Sequence, residues 1–234
     1  MPPNLPFMSG ITGIFRGNRP PQPPRPAPIT AAAKPLPADR SDYPAYPTQN
    51  LKRLVELLRG SPRPHLLDIG RLTDRNIEWF IHKDFRVTID EQFHKLPAAP
   101  PAVESASPRR PEPAPPALLP PLEFPDGQFD AVIAWDLYDF LAPLQAQALT
   151  AEIGRVLKPR GLLLAFFHSD RSVAERAIRY HILQDDRLEY HPTRGVARRR
   201  VYENMDIQQI FSEFEVVNTC FLANQVREVL VRRR

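Results

Sequence analysis

The chain has 234 residues, a formal net charge of +4, one cysteine and 29 prolines. A lone Cys220 excludes a disulfide-stapled scaffold and a cysteine-based zinc site. No run of 18 apolar residues exists, and the start Met1-Pro2-Pro3-Asn4 lacks the pattern of a secretory signal, so the expectation is a cytoplasmic protein with no membrane partner.

Residues 1–50 hold 13 prolines and residues 91–125 hold 11. Proline has no N–H for a helix or a central strand, so these tracts stand outside ordinary secondary structure. Residues 1–47 read as a disordered proline-rich tail and 97–121 as a proline-rich loop that interrupts one domain spanning 48–234. Within that domain, Leu51, Leu54, Val55 and Leu58 recur at helical spacing between Thr48 and Gly60. His65-Leu66-Leu67-Asp68-Ile69-Gly70 is a short apolar run ending in an acid and a glycine, as a buried strand meeting a loop would be. A helix is predicted over 74–84, with Ile77, Phe80 and Ile81 inward. Phe85–Asp90 reads as a second strand ending in an acid.

Past the second proline tract, Phe129–Trp135 is a third strand and Leu144–Leu157 a helix. Leu162–Phe167 is apolar throughout, as a parallel strand buried on both faces is. A helix is expected from about Ser172 to Leu183. Residues 188–203 read as an irregular excursion or a hairpin. Asp206 opens another helix, and Glu215–Leu222 and Val226–Arg232 are strands joined too tightly for a parallel crossover. The expected fold is α/β: a doubly wound, mostly parallel, Rossmann-like sheet with helices on both faces and a C-terminal antiparallel hairpin. Ligands of such sheets bind beyond the carboxyl ends of the strands. Asp68, Gly70, Asp90 and Trp135 lie there.

Four segments carry a resemblance. Leu66-Leu67-Asp68-Ile69-Gly70 resembles the first strand and nucleotide loop of the class I S-adenosylmethionine-dependent methyltransferases, of the small-molecule type. Leu122–Val132 is similar to that family's Leu-Pro-Phe-x-Asp-x-x-Phe-Asp entry into its fourth strand. Glu152–Gly161 resembles its Arg-Val-Leu-Lys-Pro-Gly-Gly turn, and Tyr202–Val217 its late helix and sixth strand. The resemblance implies S-adenosylmethionine as cofactor, methyl transfer to an unknown acceptor, Asp68, Gly70, Asp90 and Trp135 as cofactor contacts, and a sheet without the family's usual third strand. The loop reads Asp68-Ile69-Gly70-Arg71-Leu72-Thr73-Asp74, keeping only the acid and first glycine of Asp/Glu-x-Gly-x-Gly-x-Gly. Leu72 would crowd the cofactor's amino-acid end and Asp74 would repel its carboxylate, so weak binding is expected.

His168, after the central strand, is the one candidate general base, although methyl transfer can proceed on alignment alone. No metal site is read. Arg109-Arg110, Arg194, Arg198-Arg199-Arg200 and Arg232-Arg233-Arg234 carry no nucleic-acid motif and read as solvated surface. The partner is then a small-molecule acceptor. The alternative is a catalytically inactive fold of this kind that binds or scaffolds a protein partner through its surface and proline tracts.

Overall fold

A computed structural model describes residues 43–71, 73–96, 118–169, 178–192 and 200–234. The expected proline-rich segments at 1–42 and 97–117 lie outside those residues. The chain runs β1 (Ala45–Pro47), α1 (Asn50–Leu58), β2 (His65–Asp68), α2 (Asp74–His82), β3 (Arg86–Ile89), β4 (Phe129–Trp135), α3 (Pro143–Val156), β5 (Leu157–His168), β6 (Ile178–Gln184), β7 (Arg187–Pro192), α4 (Asn204–Ile210), β8 (Phe214–Phe221) and β9 (Val226–Arg233).

Six strands form the main sheet in the order β3-β2-β4-β5-β9-β8. The first three pairings are parallel, and β5–β9 and β8–β9 are antiparallel. Among the described residues no strand pairs with the outer edge of β3. The centre of the sheet follows from side-chain alternation along β5. Leu163, Ala165 and Phe167 enter the core shared with α3 and α4. Leu162, Leu164 and Phe166 enter the opposite core, with α1 and α2. Both sets are buried, so β5 has no polar face and pairs on both sides.

Of the segment expected as a helix over 172–183, residues 172–177 lie outside the described residues and the remainder folds differently. Residues 178–184 form β6, which pairs antiparallel with β7, and β1 pairs with the far side of β7. Tyr180, Ile182, Leu188 and Tyr190 face the core at period two, the pattern of a strand with one buried face. The same register carries Arg179, His181, Glu189 and His191 on the other face. Residues 45–47, expected within the tail, are the third strand of this small sheet.

Helix α2 also departs from its expected inward face. Ile81 is exposed, whereas Asn76 is buried. The Asn76 amide donates to the Tyr180 carbonyl at 2.8 Å and its Oδ1 accepts from the Ile182 N–H at 2.8 Å. It thereby satisfies the open edge of β6 in place of a further strand.

Candidate functional site

The carboxyl ends of β2, β3 and β4 lie side by side, and the parallel ladder continues past β2 and β3 through Asp90 N–H to Asp68 O at 3.0 Å. Asp68, Gly70, Asp90 and Trp135 therefore come together, as the sequence led one to expect. Asp68 is buried and its Oδ1 accepts from Gly70 N–H at 2.9 Å and from the Trp135 indole N–H at 3.0 Å. Burial pushes its pKa up to about 6 against the pull of those two donors. Its direct work is to shape the loop.

Trp135 takes a left-handed φ of 49° at the end of β4. The cost of that conformation is met by what the indole gains: it stacks on Tyr180 at 5.2 Å and 9° and packs edge-on against Phe166. It also covers Gly70. A Cβ at position 70 would lie 2.0 Å from Trp135 Cδ1, so only glycine fits beneath the ring. Any molecule seated over Gly70 has to displace the indole.

Asp90 sits at the rim. Its Oδ1 accepts from Lys95 Nζ at 2.8 Å and its Oδ2 from Gln92 Nε2 at 2.7 Å, with 18 % of the side chain exposed. Arg71, which the sequence reading passed over, is the nearest cation in the loop. Its guanidinium lies 4.2 Å from the centroid of the Phe93 ring. Its Nε and Nη2 are buried without a hydrogen-bond partner among the described residues. Burial opposes its charge, and Asp136 and Glu91 support it. A cation directly after the loop glycine was the available signal. Asp74, expected to repel the cofactor, is exposed in the first turn of α2, where an acid favours the helix dipole. Leu72 lies outside the described residues.

His168 is buried at the end of β5 rather than open at a pocket mouth. Asp139 Oδ2 accepts from His168 N–H at 3.1 Å and lies 2.8 Å from its Nδ1. Its Nε2 faces the Tyr180 hydroxyl at 3.5 Å. A carboxylate, an imidazole and the phenol of Tyr180 are thus lined up, and the phenol ring is the one that stacks on Trp135.

Residues 67–165 match the family model described as a methyltransferase domain. This part of the chain is similar to the methyltransferase domains which that model describes. The matched stretch begins in β2 and ends in β5, and so contains Asp68, Gly70, Arg71, Asp90 and Trp135. No curated protein matches the chain in sequence. Similar solved structures include a S-adenosylmethionine-dependent methyltransferase of Methanosarcina mazei, at 13 % identity and a TM-score of 0.45, covering 76 % of this chain and 96 % of that one. Another, from Mesorhizobium loti, has 15 % identity and a TM-score of 0.45 over 77 % and 96 %. A third is the magnesium protoporphyrin IX methyltransferase of Synechocystis with bound S-adenosylmethionine, at 16 % identity and a TM-score of 0.43 over 80 % and 79 %.

The residues present fit the family's cofactor in kind. Arg71 offers buried, unpartnered N–H groups suited to a carboxylate, and Asp90 offers a reachable carboxylate suited to vicinal hydroxyls. No described helix is long and apolar enough to cross a membrane.

Proposed function

We propose that the protein transfers a methyl group from S-adenosylmethionine to a small-molecule acceptor at the ends of β2, β3 and β4. The observation that carries this reading is the buried guanidinium edge of Arg71, without a hydrogen-bond partner among the described residues, next to Gly70 and inside the matched segment. When bound, the cofactor supplies an activated methyl on a sulfonium. Arg71 holds the carboxylate of its amino-acid end, and Asp90 accepts from its ribose hydroxyls. Asp68 keeps the loop in shape through Gly70 N–H. Trp135 is the wall between loop and acceptor, turning from Gly70 as the site fills. His168, oriented by Asp139, takes the acceptor's proton through the Tyr180 hydroxyl where the acceptor is an alcohol or phenol.

Calorimetric titration of the full chain with S-adenosylhomocysteine tests the reading. Wild type is expected to bind. Arg71→Ala and Asp90→Ala should each weaken binding by about 10- to 100-fold, the worth of one charge-assisted hydrogen bond of ~1.5–3 kcal/mol. Binding that survives both substitutions, or none in wild type, would overturn it. His168→Gln should leave that binding intact and lower turnover of an acceptor library by about 10²–10⁴-fold.

A further inference from the structure

The hairpin β6–β7 carries a second cluster of chemistry, on the face turned from the core. His181 and Glu189 are direct cross-strand partners, and His191 lies diagonally from His181. The two imidazoles stack at 4.0 Å and 9°. Glu189 Oε2 lies 2.6 Å from His191 Nε2. One ligand-type atom from each of the three residues falls within 4.8 Å of the others. His181 Nε2 is buried without a hydrogen-bond partner among the described residues. Tyr43 packs against the ring of His191, so the cluster is partly shielded from water.

We propose that His181, Glu189 and His191 form a binding site for a divalent transition-metal ion, with zinc as its representative. Two imidazole nitrogens and one carboxylate are a borderline-soft donor set, which suits zinc, nickel or copper better than calcium or magnesium. Tetrahedral zinc with bonds of about 2.0–2.1 Å places its donors roughly 3.3 Å apart. The donors lie within 4.8 Å of one another, and rotation about the side-chain bonds would turn the stacked imidazoles toward a common point. The backbone register holds the donors because it fixes which side chains share a face. The ion replaces the proton between His191 and Glu189, engages the unpartnered His181 Nε2 and leaves its fourth position to water. Arg75 and Arg179 oppose positive charge at His181, and Glu189 favours it and supplies the one anionic donor. The bound ion would tie β6 to β7, and β6 carries the Tyr180 that stacks on Trp135.

Zinc chloride is titrated calorimetrically into the full chain after treatment with chelator. One zinc per chain is expected, at micromolar strength or tighter. His181→Ala with His191→Ala should weaken it at least ~100-fold, and Glu189→Gln about tenfold, because each removes an inner ligand. These side chains face away from the core, so the metal-free variants should keep the wild-type circular dichroism and melting temperature. His94→Ala, at an exposed histidine elsewhere, should bind as wild type does. Cobalt substituted for zinc gives an independent reading through the absorption of a tetrahedral complex, lost in the double variant. No zinc uptake by wild type at these concentrations, or the same uptake by the folded double variant, would overturn the site. Neither result bears on S-adenosylhomocysteine binding, which is read separately.

Discussion

Asp68 holds its proton in the folded protein up to about pH 6, against an ordinary carboxyl value of 3.8. The cause is burial, so the charged form is the costly one. A folded pKa above the unfolded value adds stability below the unfolded pKa, and that stability is lost as pH rises through the folded pKa. The window is therefore pH 3.8 to about 6, and the loss is about 3 kcal/mol at 1.36 kcal/mol per pH unit. Asn at 68 keeps an oxygen for Gly70 N–H and the Trp135 indole but cannot ionise. Urea unfolding of Asp68→Asn should show wild type losing ground to the variant between pH 4 and 7. Parallel curves would mean that the folded carboxyl titrates normally. Gly70→Ala tests the same contact sterically. Its Cβ would meet Trp135 at 2.0 Å. The indole must leave Tyr180, at a cost of ~1–3 kcal/mol with a changed near-ultraviolet circular dichroism spectrum.

At the scale of elements, Asn76 joins α2 to the edge of β6 with two buried hydrogen bonds to backbone. Asn76→Ala leaves the Tyr180 carbonyl and the Ile182 N–H unpaired. It should cost ~2–4 kcal/mol in chemical unfolding and speed exchange of the Ile182 amide. Unchanged exchange at Ile182 would mean that water replaces the side chain freely. This contact also explains what the sequence could and could not reveal. Strands β2, β4 and β5 were legible because both faces are apolar and glycine or an acid marks their ends. Over its described part, 178–183, the helix expected at 172–183 was a misreading of period. Ile178, Tyr180 and Ile182 recur at period two, but Arg179 and His181 between them are polar in a segment short enough to suit a helix as well. With the strand unread, the face shared by His181, Glu189 and His191 could not be seen. Asp68 and Asp90 were found because strand-end acids stand out by position. Arg71 was not, since its meaning depends on burial beside Phe93 and not on its type.

At the scale of the molecule, the first helix and the last strand are joined by two buried side chains, Glu228 and Asn50. Glu228, the third residue of β9, is wholly buried. Its Oε2 accepts from Gln49 N–H at 3.0 Å and Asn50 N–H at 2.8 Å, capping α1 from 178 residues away. Neither Gln49 nor any other side chain in the first turn supplies an acid there. Asn50 returns the contact, its amide donating to the Glu228 carbonyl at 3.1 Å and its Oδ1 accepting from Asn218 at 2.8 Å. Two opposing effects act on Glu228. Burial raises its pKa, while the Asn50 and Gln49 N–H groups and the Thr48 hydroxyl favour the charged form. Burial is the larger, so the charge itself adds little net stability and the hydrogen-bond geometry matters more. Glu228→Gln, which keeps an acceptor oxygen in the same place, should therefore change stability by less than ~1 kcal/mol at pH 7. Glu228→Ala leaves two N–H groups unpaired beside a cavity and should cost ~3–5 kcal/mol. Thermal unfolding of the pair separates the two contributions. Equal losses for Gln and Ala would show that the carboxylate charge, rather than the acceptor, holds α1 to the sheet.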